Sequence, residues 1–108
     1  MSKGTTRQHV TAICYDKKGR ILSIGRNSYV KTHPLQARLA RQVGHPNRVF
    51  LHAEIDAIIR CRDWERIDTI SIFRYGVKGT PLLAKPCVVC EQAIKLANIK
   101  KVVYTTGE

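Results

Sequence analysis

Two short clusters, His52-Ala53-Glu54 and Pro86-Cys87-Val88-Val89-Cys90, constrain the fold of this chain more than any other feature. Each opens a segment with helical apolar spacing. Ala53, Ala57 and Cys61 fall on one stripe with Ile58 beside it, and Cys90, Ala93, Ile94 and Ala97 share a face. A Cys-x-x-Cys pair at i and i+3 lies on one side of a helix, so both sulfurs can reach one ion. A helix N-terminus, with its free N–H groups and positive dipole end, favours the thiolate form that binds metals. His52 and Glu54 are two apart and would diverge on the flank of a helix. Over the first turn, both can lean across its end. If the clusters serve one ion, two helix starts must meet. One His and two Cys suit tetrahedral zinc with a fourth position left for water, the pattern of a catalytic site rather than a structural one. Water bound there loses its proton near neutral pH, and Glu54 beside it can take that proton and pass it on.

The rest of the chain supplies the frame. Residues 9–15 and 20–26 are rich in apolar and β-branched residues and read as strands, with Asp16-Lys17-Lys18-Gly19 as a short hairpin loop. Residues 27–51 are polar and basic, punctuated by His33-Pro34, Gly44 and His45-Pro46. A short helix from Gln36 to Gln42 fits the spacing of Leu35, Leu39 and Val43, and the segment as a whole is expected to wall the site. Helices are expected over Ala53–Cys61 and Cys87–Ala97, the second ended by Asn98, which tolerates left-handed backbone. Strands are expected over Asp68–Arg74 and Lys101–Thr105. The order β-β-α-β-α-β implies an α/β mixed sheet whose later strands run parallel, with both helices on one face and their N-termini at the zinc.

Composition narrows the rest. With 108 residues the chain fits a single domain, 1–108, and 44% hydrophobic residues suffice for a core. Nineteen Lys and Arg against eight Asp and Glu give +11, a field that attracts phosphorylated ligands or polyanions. Lys31, Arg38, Arg41, Arg48 and Lys78 are candidates for a phosphate track or are ordinary surface charge. No segment has the length and apolarity of a membrane helix, and the start lacks an apolar signal core, so a reducing cytoplasm is expected. There, paired cysteines suggest metal or catalysis before disulfides. Cys14 and Cys61 read as core thiols, and Trp64 and Phe50 as core or helix-end packing before base stacking. His33 and His45 read as loop or wall residues.

His-x-Glu followed by Pro-Cys-x-x-Cys is the signature of zinc deaminases acting on nucleobases, and the chain resembles the cytidine and deoxycytidylate deaminase superfamily over almost its full length. Gly25-Arg26-Asn27 resembles the Gly-x-Asn that ends the second strand in that family, and Ala57-Ile58 and Ala93-Ile94 also match. The resemblance implies a cytidine-deaminase-like, three-layer-type fold, with one Zn2+ per chain on His52, Cys87 and Cys90 and Glu54 as the catalytic residue. It implies substrate contacts at Asn27, Ala53, Lys85 and Pro86, and water attacking C4 of cytosine, or C6 of adenine, with loss of ammonia. Several positions depart from the family. Lys85 stands where many relatives have Glu or Phe, and the stretch from Arg74 to Lys85 is longer than usual. The 27–51 segment is closer in length to deoxycytidylate deaminases than to tRNA adenosine deaminases. A fifth strand is not visible after Thr105, and the sheet edge this leaves is expected to meet another subunit in a homo-oligomer.

Three functions fit. The first is deamination of a free nucleotide, deoxycytidylate foremost. The second is deamination of cytosine or adenine in single-stranded DNA or RNA, which the charge favours and the 6% aromatic content does not. The third is a nucleic-acid-binding module with a structural zinc, which would leave Glu54 without a task. So small a version would suit a virus or phage working in host cytoplasm.

Overall fold

The computed structural model describes residues 9–47, 50–76 and 78–106. Its four strands form one mixed sheet in the order β2-β1-β3-β4. Strands β1 (His9–Tyr15) and β2 (Ile21–Arg26) are an antiparallel hairpin, β3 (Thr69–Tyr75) runs antiparallel to β1, and β4 (Lys101–Tyr104) runs parallel to β3. Three helices follow the chain as α1 (Pro34–Gln42), α2 (Ala53–Arg60) and α3 (Val88–Leu96), with a 3-10 turn at Trp64–Arg66. The expected order and the parallel final pair are both present. The short helix expected over Gln36–Gln42 is present as α1, so the full order is β-β-α-α-β-α-β. It begins two residues before the expected Gln36, because His33 Nδ1 accepts the N–H of Leu35 at 3.0 Å and Pro34 suits the first turn.

Two rows of side chains run across the sheet in register, Gly25–Ala12–Ile72–Tyr104 and Ser23–Cys14–Ile70–Val102. Both rows face the helices, and Ala12, Cys14, Ile70 and Ile72 are buried there. The rows taper from small residues on β2 to large ones on β4. Helix α2 uses the small end and settles onto β2 and β1. A Cβ on Gly25 would fall inside contact distance of the backbone of Ala53 and Ala57, and Ser23 Oγ donates to Ala57 O at 2.7 Å in the buried interface. The large end lies by α3, where Ile94, Val102 and Tyr104 line a common groove. Helices α2 and α3 also touch each other, and α1 packs on α3.

Local chemistry ends several elements where the sequence suggested. Asp16 closes the hairpin: its carboxylate accepts the N–H groups of Lys18 and Arg20 at 2.9 Å each, while Gly19 takes φ +79°. Asn98 adopts φ 57° beyond α3. Trp64 donates its indole N–H to Ile58 O at 2.9 Å and plugs the end of α2, and Cys14 and Cys61 are buried thiols, with burial pushing Cys14 up to about 11. Phe50 departs from expectation. It is 48% exposed, so it belongs to no core. No described helix is long and apolar enough to cross a membrane.

Replacing Gly25 by Ala is expected to cost about 1–3 kcal/mol or more through overpacking against backbone that cannot yield, read as a lower urea midpoint at unchanged m-value. The Asp16 carboxyl is held below the ordinary aspartate value, first by the N–H of Arg20 and then by the other donors around it. Its stabilising effect is present above the ordinary aspartate pKa of about 3.9 and is lost as pH falls through the lower folded value. The melting-temperature gap between wild type and Asp16→Asn is therefore expected to close in acid. A gap constant from neutral pH down to that range would contradict this account of the turn.

Candidate active site

Helices α2 and α3 start on His52 and Cys87. Both residues are N-caps with extended backbone, yet neither side chain caps its own helix. They turn toward one another instead. His52 Nδ1 lies 3.2 Å from Cys90 Sγ and 3.5 Å from Cys87 Sγ, and the three ligand atoms all lie within 4.8 Å of one another. Zinc bonds sulfur at about 2.3 Å and imidazole nitrogen at about 2.0–2.1 Å, which in a tetrahedron separates N from S by about 3.5 Å. The donor set and its spacing fit zinc. Among the described residues no other group of three His, Cys or acidic side chains comes together this way.

The cluster is braced from α1. Gln36 is fully buried, and its Oε1 accepts the backbone N–H of His52 at 3.2 Å, which fixes the residue that starts α2. The cluster also separates charge between its sulfurs. A hydrogen bond from the Cys90 thiol, with His52 nearby, draws Cys87 down to about 3. That same bond and burial push Cys90 well above the ordinary thiol range. One proton and one negative charge are thus divided between two sulfurs, and a cation between them would displace the proton.

Glu54 sits one residue inside α2, buried, with its carboxyl against the Cys90 thiol. Burial raises its pKa above the usual carboxylate range, while its own backbone N–H and His52 pull it back. A cavity of about 340 Å³ opens over this group. That volume lies at the small end of ligand cavities and suits one nucleotide-sized unit. His52, Glu54 and Cys87 reach its wall, as do Asn27, Ala53 and Lys85 among the expected substrate contacts. Pro86 does not. It lines the separate groove between α3 and β4 with Ile94, Val102 and Tyr104. Asn27 Oδ1 accepts the N–H of Val10 at 3.0 Å, which holds the side chain at the cavity wall.

Residues 1–106 match the cytidine and deoxycytidylate deaminase zinc-binding region. The chain belongs to this family. No curated protein matches it. Membership and the His52–Cys87–Cys90 group together give the deaminase one Zn2+.

Sequence reasoning passed over Val10, Arg74 and Ala84, whereas Ser28, Tyr29 and Leu51 fall in the 27–51 segment expected to wall the site. A signal for Arg74 existed: it continues the alternation of Ile70 and Ile72, so it points to the helix side at the strand end. Ser28 and Tyr29 carried no periodicity to single them out within that segment. Of the expected phosphate-track residues, Lys31 lines a second cavity beside the first, while Arg38, Arg41 and Lys78 line neither. Arg48 lies outside the described residues. His33 caps α1 and His45 is exposed, so neither joins the cluster.

Purified protein is expected to carry about one zinc per chain by elemental analysis, and His52→Ala or Cys87→Ala to lose most of it. Chelation should also lower the melting temperature, since an ion bound only by the folded chain stabilises it. Full zinc content in both variants would contradict the ligand assignment.

Proposed function

We propose that this deaminase hydrolyses the exocyclic amine from a cytosine carried on a nucleotide, in the reducing cytoplasm, with His52, Cys87 and Cys90 as zinc ligands and Glu54 as proton carrier. The observation that carries the reading is the buried carboxyl of Glu54, packed against the Cys90 thiol at the wall of a nucleotide-sized cavity. A structural zinc would have no need of an acid there, and an uncompensated buried carboxylate is costly to keep.

When bound, the zinc supplies a Lewis acid that brings the pKa of a water near neutrality. Glu54 takes one proton from the attacking water and delivers it to ring N3, then carries the remaining proton of that oxygen, now bonded to C4, to the amine as the C4–N bond breaks. Cytosine and water become uracil and ammonia, with the carboxylate restored. Burial helps the shuttle, because a raised carboxyl pKa lies closer to the groups it exchanges protons with. The backbone at Ala53, at the start of α2, holds the base edge in this reading. Asn27 contacts base or sugar. Arg74 and Lys85, on the other side of the cavity, offer charge to a phosphate.

Glu54→Ala is expected to keep its zinc and lose turnover by about 10²–10⁴-fold, followed as ammonia and uracil release. A zinc-loaded wild type inert on cytidine, cytidylate, deoxycytidylate, cytosine-containing single strands and adenosine substrates would overturn the enzymatic reading.

A further inference from the structure

A second cavity of about 280 Å³ adjoins the first, and the two share Asn27, Ser28 and Leu51 in their walls. It is a basic groove. Arg26, Lys31 and Arg60 line it against a single carboxylate, Asp56, which accepts the backbone N–H of Arg26 at 3.0 Å and pairs with Arg60 Nε at 3.0 Å. The first cavity has its own cations, Arg74 and Lys85. The sheet separates the two groups. Val10 of β1 pairs with Arg74 on β3, and the next residue, Thr11, pairs with Arg26 on β2. Two strand spacings, about 10 Å, therefore part the backbones of Arg26 and Arg74, with β1, whose Val10 lines the base cavity, between them.

A free nucleotide has a phosphate on one side of its sugar and can occupy only one of these charge groups. A nucleotide within a strand has a phosphate on each side. The wall of the base cavity also carries an aromatic ring: Tyr29 follows the shared Asn27 and Ser28 in the chain and is still 44% exposed. Its turn is fixed, because Ser28 Oγ accepts the N–H groups of Val30 and Lys31 at 3.1 and 2.8 Å, while Leu51 bonds the backbone of Ser28 and Lys31. We propose that the Arg26–Lys31–Arg60 groove seats the backbone of the nucleotide next to the reacting one, with Tyr29 stacking on a neighbouring base, so that the substrate is a single-stranded polynucleotide. The proposal rests on the deaminase reading of the first cavity and extends it to a strand.

Binding can be tested apart from turnover. The probe is a fluorescent single strand of about nine nucleotides with one central cytosine, held on zinc-loaded Glu54→Ala protein and read by anisotropy across a salt series. In that background Tyr29→Ala is expected to weaken binding roughly ten-fold or more, the scale of one lost base stack. Lys31→Ala should weaken it and shallow the log–log salt slope by about 0.7, the value for one lost single-strand phosphate contact. A matching duplex should bind less tightly than the strand. Unchanged affinity and slope in both variants, or equal affinity for duplex, would overturn the groove and leave only diffuse attraction by a basic protein. Turnover of deoxycytidylate by wild type, with no binding of the strand, would also overturn it while upholding the deaminase. Binding that depends on Tyr29 and Lys31 in a protein that deaminates nothing would uphold the groove and overturn the function of the cavity.

Discussion

The N-termini of helices α2 and α3 lie together at His52 and Cys87, and the rest of the molecule is arranged around that meeting. Each N-terminus carries a partial positive charge and N–H groups without intrahelical partners. Two such ends repel unless something negative lies between them. Here the negative group is sulfur: Cys87, drawn down to about 3 by the Cys90 thiol and His52. The cap positions show the same trade. Ser, Thr, Asp or Asn would satisfy the helix at an N-cap, yet these caps are His52 and Cys87, and their side chains face each other instead. Function takes the cap positions, and stability has to come from elsewhere.

It comes from the sheet and from α1. The small end of the register rows, Gly25 and Ala12, lets α2 descend until its backbone touches the strand, and Ser23 ties it there through Ala57 O. Gln36 reaches across from α1 to hold the backbone of His52. These contacts set where the imidazole stands, and an imidazole displaced by even an ångström would no longer share an ion with both sulfurs. Packing far from the chemistry thus positions the metal ligands.

The legible part of the sequence was the part governed by short-range rules. Alternation gave β1 and β3 within a residue, Asp16 and Gly19 gave the hairpin loop, and Asn98 marked the end of α3 because few other residues take its left-handed backbone. The metal cluster was legible because ligand chemistry needs fixed residue types at fixed spacing. Less legible was whatever depends on contacts between distant segments. Gly25 matched a family pattern, but only the packed structure shows that α2 lies where its Cβ would be. The family resemblance implied a substrate contact at Pro86, yet it lines the groove of α3 and β4 and not the cavity. Tyr29 and Ser28 lie in a segment without periodicity, and their place at the cavity comes from backbone bonds to Leu51.

The central claim is a zinc with three protein ligands and a position kept open for chemistry, lying between two helix ends. X-ray absorption at the zinc edge of the loaded protein tests it directly. The account predicts two sulfur neighbours at about 2.3 Å and two lighter atoms at about 2.0 Å, of which one is the single imidazole and the other comes from solvent. Three or four sulfur neighbours, or a second imidazole, would mean a closed structural site, and would contradict the account where it matters most.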